Sequence, residues 1–238
     1  MINSEENTSR FFVKTDNYTS DFFFSLPDCW PSRPYEYFWA SQFGKQDDTI
    51  LDAACGVSHP FKFYMAEKCR EVYAIDHDIS ILNRERLYNA IIEDFGDEAI
   101  EILKISDYEL IKYYSGDIDE LPFSDKTFDK IFCISVLEHL QDFYNKKPKL
   151  SSIPGIRYIL PSIIKNTLLE FKRTLKDDGQ IILTFDYPDI NLNYLQYLIS
   201  KIGLKFVGDY NPDIPNDALY LKDKDIYIFR MVLKKFLK

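Results

Sequence analysis

The chain has 238 residues, of which 46% are apolar and 28% are charged, a composition typical of a folded globular protein. That length is sufficient for one α/β domain with a substantial core, so no disulfide or metal staple is needed. The net charge of −9 disfavours binding to DNA or RNA, because affinity for nucleic acids comes largely from lysine and arginine contacts to phosphates.

No segment has the pattern of a membrane span or of a secretion signal. The mostly apolar stretch Ile131–Leu137 has 7 residues, one of them the polar Ser135, whereas a membrane helix needs about 20. Residues 1–7 are polar and acidic, and they lack the basic and apolar regions of a signal peptide. We therefore expect a cytoplasmic protein with no membrane partner.

The cysteines contain no C-x-x-C pair, the spacing that most often marks a metal or redox site. Without a secretion signal, we expect reduced and mostly buried thiols, and we predict no metal site. The four residues are Cys29, Cys55, Cys69 and Cys133.

Residues 1–45 are unusually rich in aromatic side chains and hold both tryptophans. So many rings must be covered, either as an arm packed on the core or as a lid whose rings also line a ligand pocket. Packing is the commoner role of scattered rings and is favoured. We predict that residues 1–45 form this arm or lid and that residues 46–238 form a single domain.

From residue 46 onward, strand and helix patterns alternate along the chain. This order predicts a doubly wound, Rossmann-like α/β fold: a seven-stranded sheet, mainly parallel, with an antiparallel last strand and helices on both faces. The predicted strands are 49–53, 71–75, 111–115, 128–135, 180–185, 204–207 and 225–233. The predicted helices are 58–69, 79–92, 98–104, 161–176 and 192–202. A long connection over 141–158 is expected to help shape a ligand site.

Three acidic residues stand at or just after the ends of the first three predicted strands: Asp52, Asp76 and Asp117. The carboxyl ends of adjacent parallel strands open onto one crevice, so these carboxylates are expected to face a common ligand. Carboxylates there accept hydrogen bonds from ribose hydroxyls, an amino group or an adenine amine. The alternative is that each acid is only a turn residue, which would be the better interpretation of any one of them alone.

The turn after the first strand contains small residues, Ala54, Cys55 and Gly56, so a ligand can approach its backbone. It has one glycine and not the G-x-G-x-x-G that cradles a pyrophosphate, which argues against a dinucleotide. A nucleoside without phosphates does not need three glycines.

Five segments in the correct order resemble the motifs of class I S-adenosylmethionine-dependent methyltransferases, most closely the small-molecule branch called type 11. Each segment is loosely defined, but their joint spacing between residues 50 and 185 is specific. The segments are Ile50–Gly56, Val72–Asp76, Ser115–Phe123, Phe128–Leu140 and Leu175–Leu183.

The resemblance implies how S-adenosylmethionine would be held at its methionine end. Asp52 and the backbone around Ala54 and Gly56 would bind this end, and the backbone at Ile134 and Ser135 would contact its amino-acid part.

For the adenosine end, the resemblance implies that Asp76 binds both ribose hydroxyls and that His77 flanks the adenine. Asp117 would accept from the adenine amine, and Ile118 would pack on the ring. In one departure from the family pattern, Ser58 stands where a second glycine is usual, and this either narrows the site or adds a hydroxyl contact.

The reaction implied is in-line displacement, in which an acceptor atom attacks the sulfonium methyl and S-adenosylhomocysteine leaves. His139 is the best candidate for a base, and the alternative is that it only caps or packs a helix. Glu138 would orient a substrate cation or, more simply, be a solvated acid at a helix start. His59 is expected to help form the first turn of the helix that follows it.

A small-molecule acceptor is favoured, because no [Asp/Asn/Ser]-Pro-Pro-[Tyr/Phe] motif follows the fourth strand and the net charge is negative. The aromatic segment could cover such an acceptor, and its ring faces would suit an amine cation. Two alternatives are a catalytically inactive, methyltransferase-like scaffold and, less favoured, a nicotinamide-dependent oxidoreductase.

Overall fold

A computed structural model describes residues 6–103, 109–140 and 160–237, so the connection predicted over 141–158 lies outside the described residues. Within these ranges the strands are β1 (Arg10–Phe11), β2 (Asp21–Phe22), β3 (Phe24–Ser25), β4 (Thr49–Ala53), β5 (Glu71–Asp76), β6 (Ile111–Ser115), β7 (Phe128–Ile134), β8 (Leu175–Tyr187), β9 (Leu204–Phe206), β10 (Tyr220–Leu221) and β11 (Ile226–Lys235). The α-helices are α1 (Arg33–Ser41), α2 (Phe61–Lys68), α3 (Arg84–Phe95), α4 (Glu98–Ile102), α5 (Leu160–Thr174) and α6 (Leu192–Lys201). None of these helices is long and apolar enough to cross a membrane.

The main sheet has the order β1-β11-β8-β7-β4-β5-β6, and β9 and β10 also pair with β11. Strands β4 to β8 are mutually parallel, whereas β11 is antiparallel to β8. The predicted fold class is therefore confirmed. The sheet has nine strands rather than seven, because the two-residue strands β1 and β10 add to the edge formed by β11. Strands this short carry no periodic signal in the sequence.

All five predicted helices have different bounds in the structure, and two of these differences have an evident physical cause. The helix predicted over 79–92 divides into a 3-10 turn, Ile79–Leu82, and α3, because the side chain of Asn83 accepts from the backbone of Arg86 and starts a new helix. The helix predicted to reach Lys176 ends at Thr174, where β8 begins.

The central strand β4 is buried along its whole length, as expected for a parallel strand covered on both faces. Ile50 belongs to the core cluster that contains residues of α1, α2 and α3, whereas Leu51 belongs to the cluster that contains residues of α5 and α6. Successive side chains of a strand point to opposite faces. The helices therefore cover both faces of the sheet, and the carboxyl ends of its strands are left for the site.

Many of the aromatic side chains before residue 46 pack in these same core clusters. The buried ones are Phe11, Phe12, Phe22, Phe24, Tyr37, Trp39 and Phe43. The segment also joins the sheet, since Phe11 pairs with Phe229 and their rings meet edge to face at 4.9 Å. Mobility of this segment as a lid stays a prediction.

The cysteines agree only in part with the prediction of buried thiols. Cys55 and Cys133 are buried and Cys69 is half-buried, but Cys29 is exposed because it lies in the irregular segment before α1.

Helix α1 is attached to the carboxyl ends of β7 and β8 through Glu36. This carboxylate is fully buried, and it accepts hydrogen bonds from the hydroxyls of Ser135, at 2.6 Å, and Thr184, at 2.5 Å. Arg33 donates to its other oxygen at 2.5 Å. Burial raises the pKa of Glu36, but Arg33 and the two hydroxyls outweigh that effect and lower it. A charged Glu36 therefore holds α1 beside the site.

Glu36→Gln keeps the size of the side chain but removes the charge that pairs with Arg33. We expect it to lower the free energy of unfolding by about 3 kcal/mol, because an uncompensated guanidinium stays partly buried. Urea unfolding at pH 7 measures this change. The exposed Glu93→Gln on α3 is the matched control, and equal stability of the two variants would contradict the role given to Glu36.

Candidate active site

Three adjoining cavities lie at the carboxyl ends of the parallel strands. We name them by one acid in each: the Asp76 cavity of about 180 Å³, the Asp52 cavity of about 260 Å³ and the Asp186 cavity of about 380 Å³. His139 lines all three of them, so they meet at this side chain.

The Asp76 cavity contains the residues that the resemblance assigned to the adenosine end. Asp76 and His77 come from the end of β5, and Asp117 and Ile118 follow β6. The sequence did not identify its apolar lining from Val136, Leu140 and Ile163. These apolar residues carry no recognisable pattern, and Ile163 of α5 lies far from the others in the chain.

Asp76 is already oriented by its neighbours. Its Oδ2 accepts from the backbone of Gly56 at 2.8 Å, and its Oδ1 accepts from the backbone of Asp78 at 3.0 Å. Nδ1 of His77 lies 3.1 Å from the same Oδ1. A carboxylate has about four acceptor positions, so the two backbone bonds leave about two for a ligand when His77 turns away.

The Asp52 cavity lies over the turn after β4 and includes Asp52, Ala54, Gly56, Ile134 and Ser135. Ala54, Gly56 and Ser135 have positive φ angles of 55°, 62° and 48°. This left-handed conformation is costly for alanine and serine and free for glycine. The chain therefore turns sharply on both sides of the cavity and exposes its backbone to it.

The sequence analysis missed a buried lysine that holds this turn through hydrogen bonds. The ammonium of Lys62 donates to the carbonyls of Gly56, at 2.7 Å, and His59, at 2.6 Å. Burial lowers its pKa, and the nearby Cys55 and Asp52 act in the opposite direction. Lys62 lies between two phenylalanines in α2, a context that gives no signal of a functional lysine.

Asp52 is buried, and among the described residues its Oδ2 has no hydrogen-bond partner. Burial raises its pKa to about 7; Lys62 opposes this shift and Asp76 adds to it. A cation or hydrogen-bond donor that enters the cavity would compensate the charge of ionised Asp52 and so reduce the cost of its burial.

Ser58, which stands where the resemblance implies a second glycine, has a structural role. The hydroxyl of Ser58 donates to Asp94 of α3, so Ser58 is committed to the helix rather than to the cavity. His59 precedes α2 by two residues and is not part of its first turn, so that expectation is wrong. Its ring stands over Gly56, where an added Cβ would lie 2.5 Å from Cδ2 of His59. Tyr37 pairs with Nδ1 of His59 at 2.5 Å, and burial holds the pKa of His59 well below its usual value.

The aromatic segment lines the Asp186 cavity and supplies Trp30 and Arg33 to its wall. The ends of β8 and β10 add Asp186, Asp189 and Lys224. Trp30 is one of the rings that the sequence analysis expected to pack on the core or to line a ligand pocket. The sequence analysis did not identify the four charged residues, because they come from three separate parts of the chain.

Solved structures share this fold at low sequence identity. A TehB-like S-adenosylmethionine-dependent methyltransferase from Corynebacterium glutamicum is 15% identical, with a TM-score of 0.50 over 84% of this chain and 86% of that one. An S-adenosylmethionine-dependent methyltransferase from Clostridium acetobutylicum is 13% identical, with a TM-score of 0.50 over 79% and 83%. The [4+2]-cyclase SpnF is 12% identical, with a TM-score of 0.59 over 96% and 87%. At these identities the comparison shows the fold alone.

The fold is thus that of the Rossmann-like methyltransferases. Residues 51–147 match a family model described as a methyltransferase domain. The chain therefore carries a methyltransferase domain over this range, and this match together with the shared fold supports a class I S-adenosylmethionine-dependent methyltransferase. Its methyl donor is S-adenosylmethionine.

The raised pKa of Asp52 makes a prediction about stability. Between pH 4 and pH 7 the unfolded chain loses this proton while the folded chain keeps it, so wild-type stability falls as the pH rises through this window. Asp52→Asn carries no such proton. We expect the difference in unfolding free energy, variant minus wild type, to be larger at pH 8 than at pH 5. The increase should be a few kcal/mol at most.

Urea unfolding of both proteins at the two pH values tests this. Asp47→Asn, an exposed acid just before β4, serves as the control and should show no such change. A pH-independent difference for Asp52→Asn would contradict the assignment.

Proposed function

We propose that the protein transfers the methyl group of S-adenosylmethionine to a small-molecule acceptor by in-line displacement. The observation that carries this proposal is the set of three adjoining cavities, each with an acid at a strand end, and His139 where they meet. In this proposal the donor occupies the Asp76 and Asp52 cavities, and the acceptor occupies the Asp186 cavity.

At the adenosine end, the free acceptor positions of Asp76 would take the two ribose hydroxyls once His77 turns towards the adenine. Asp117 would accept from the adenine amine, and Ile118 would pack on the ring. The apolar lining of the same cavity suits the flat base.

At the methionine end, the unpartnered oxygen of Asp52 would accept from the amino group of the donor. The exposed backbone at Ala54, Gly56, Ile134 and Ser135 would contact the rest of the amino-acid part. Lys62 would act indirectly, because it fixes the carbonyl of Gly56 and with it the shape of the turn.

The donor supplies an activated methyl group, so the protein mainly aligns the reactants and excludes water. The acceptor atom forms a bond to the methyl carbon as the carbon–sulfur bond breaks, and the sulfur keeps the bonding electrons. His139 would take a proton from the acceptor, since it borders both the donor and the acceptor cavities.

The acceptor is proposed to be small because Trp30, Arg33 and the β8 end enclose a cavity of only about 380 Å³. Residues 1–45 would serve as its cover and residues 46–238 as the catalytic domain. The net charge of −9 further disfavours a nucleic-acid acceptor. A cytoplasmic location stays a prediction from the sequence.

Asp76→Ala should weaken binding of S-adenosylhomocysteine by about 100-fold, because two hydrogen bonds to a charged acceptor are lost. Isothermal titration calorimetry measures the affinity, with NAD as a ligand control. Glu85→Gln, an exposed acid on α3, should bind like wild type. Unchanged affinity of Asp76→Ala would refute the ribose assignment, and wild-type protein that binds neither ligand would favour a scaffold.

His139→Ala should lower kcat about 100-fold on the true acceptor while the affinity for S-adenosylhomocysteine stays within about twofold, because only proton transfer is lost. Turnover is measured with methyl-labelled donor across pH 6 to 9. Unchanged turnover of the variant at every pH would refute the role of His139 as a base.

A further inference from the structure

The imidazole ring of His59 lines both the Asp52 cavity and the Asp186 cavity, and it is held on three sides. One face stacks on the indole of Trp30, with ring centres 4.3 Å apart and planes inclined by 17°. Its Nδ1 lies 2.5 Å from the hydroxyl oxygen of Tyr37. Its Cδ2–Nε2 edge lies against Gly56, where a side chain would collide with the ring. These contacts fix the position of the imidazole.

The hydroxyl of Tyr37 determines which ring nitrogen of His59 carries the proton. Tyr37 is buried, and among the described residues Nδ1 of His59 is the one acceptor within reach of its hydroxyl hydrogen. Arg33 also interacts with the hydroxyl, but a guanidinium can only donate. If His59 donated from Nδ1 instead, the hydroxyl hydrogen would be buried without an acceptor, which is costly. Tyr37 therefore donates to Nδ1, and the proton of the neutral ring is on Nε2.

The surroundings of His59 also keep its ring neutral. Burial lowers the pKa of His59 well below its usual value, and the charges of Arg33 and Lys62 lower it further. A neutral ring with its proton on Nε2 donates a hydrogen bond from that atom and has no lone pair there to act as a base. His59 thus differs from His139, to which the proposed function gives the role of base.

The contact with Gly56 shows which cavity the Nε2–H group of His59 faces. Nε2 would lie 3.3 Å from a Cβ added to Gly56, and of the three cavities only the Asp52 cavity has Gly56 in its lining. Within the part of the chain that the structure describes, Nε2 makes no hydrogen bond. Buried N–H groups nearly always have a partner. The Nε2–H group is therefore available to a ligand in the Asp52 cavity.

Two other hydrogen-bond donors in the lining of this cavity are already used. The hydroxyl of Tyr37 donates to His59, and that of Ser135 donates to Glu36 at 2.6 Å. Arg33 adds positive charge to the lining, although it is paired with Glu36 at 2.5 Å. A group that binds here as a hydrogen-bond acceptor thus finds its partner in His59.

The amino-acid part of S-adenosylmethionine carries an ammonium and a carboxylate on the same carbon, so it needs both an acceptor and a donor in its site. Asp52 suits the ammonium but not the carboxylate. A neutral N–H group supplies a hydrogen bond to the carboxylate without burying a further cation close to Arg33 and Lys62.

We propose that the Nε2–H group of His59 donates a hydrogen bond to the carboxylate of S-adenosylmethionine, while Asp52 in the same cavity accepts from its amino group. This inference rests on the proposed function, because it requires the methionine end of the donor in the Asp52 cavity. His59 is then a binding residue for the donor. Tyr37 is a positioning residue, which acts by fixing the tautomer of His59.

The tautomer is tested without a ligand, by nitrogen NMR of the full chain with isotope-labelled histidine. The chain has only three histidines, and His59→Gln identifies the signals of His59 by their loss. We expect a protonated Nε2 and an unprotonated Nδ1 in wild type. Tyr37→Phe should give a mixture of the two tautomers, whereas Tyr197→Phe, which removes an exposed hydroxyl on α6, should leave the signals unchanged.

The contact with the carboxylate is tested by calorimetry with two ligands. One is S-adenosylhomocysteine, and the other is its analogue without the carboxylate, in which an aminopropyl chain is attached to the sulfur. His59→Phe keeps the stacking on Trp30 but removes the N–H group. We expect it to weaken binding of S-adenosylhomocysteine by about tenfold and to change the affinity for the analogue by less than about twofold.

His59→Gln is the matched variant, since its amide carries an N–H donor at a similar reach. It should bind S-adenosylhomocysteine within about threefold of wild type. Because each variant is compared with two ligands, a general loss of folding would weaken both ligands equally and be recognised. Thermal unfolding of each variant checks this independently.

The outcomes separate the two proposals. Failure of wild type to bind S-adenosylhomocysteine overturns the proposed function itself. Binding by wild type, together with an equal loss for both ligands or no loss in His59→Phe, overturns only the role of His59. A proton on Nδ1 of His59 in the wild-type spectrum also overturns it, because Nε2 would then have no hydrogen to donate.

Discussion

The parallel pairing of β4 with β5 on one side and β7 on the other is the constraint on which the site depends. It brings Asp52 opposite Ala74 and Phe132, one residue before β4 ends, and it sets Asp76 beside the turn that follows. The backbone of Cys55 then donates to Ile75 and that of Gly56 to Asp76, so the turn is bonded to the neighbouring strand end. These bonds hold one wall of the cleft against the sheet.

Different groups compensate the buried charges at the two ends of this cleft. Near the turn, Lys62 lies among Asp52, Asp76 and Cys55 and holds the carbonyls that shape the backbone. Near α1, Arg33 and two hydroxyls satisfy Glu36 completely. Such buried networks are stable only when their members are paired, which makes the oxygens of Asp52 and Glu138 that lack partners among the described residues informative. Of the two, Asp52 lines a cavity that a ligand can enter. Glu138 is buried, so its interpretation as a solvated acid at a helix start is wrong.

The N-terminal segment is part of the site as well as part of the core. Its buried rings explain why it packs on the sheet, while Trp30, Arg33 and Tyr37 face the cavities. Tyr37 and Trp30 together hold the ring of His59 over Gly56. The shape of the cavity at this turn therefore depends on contacts from the N-terminal segment.

The sequence by itself determined the order of strands and helices, the mainly parallel sheet and the acids at the strand ends. These features depend on short-range patterns: β4, β5 and β6 are continuous apolar or alternating runs, and Asp52, Asp76 and Asp117 stand at or just after their ends. Only the tertiary structure decided that Glu36, Lys62 and Glu138 are buried and that Trp30 and Asp186 line the same cavity. Those contacts join residues far apart in the chain, and their cost or gain depends on burial, which no local pattern of residues encodes.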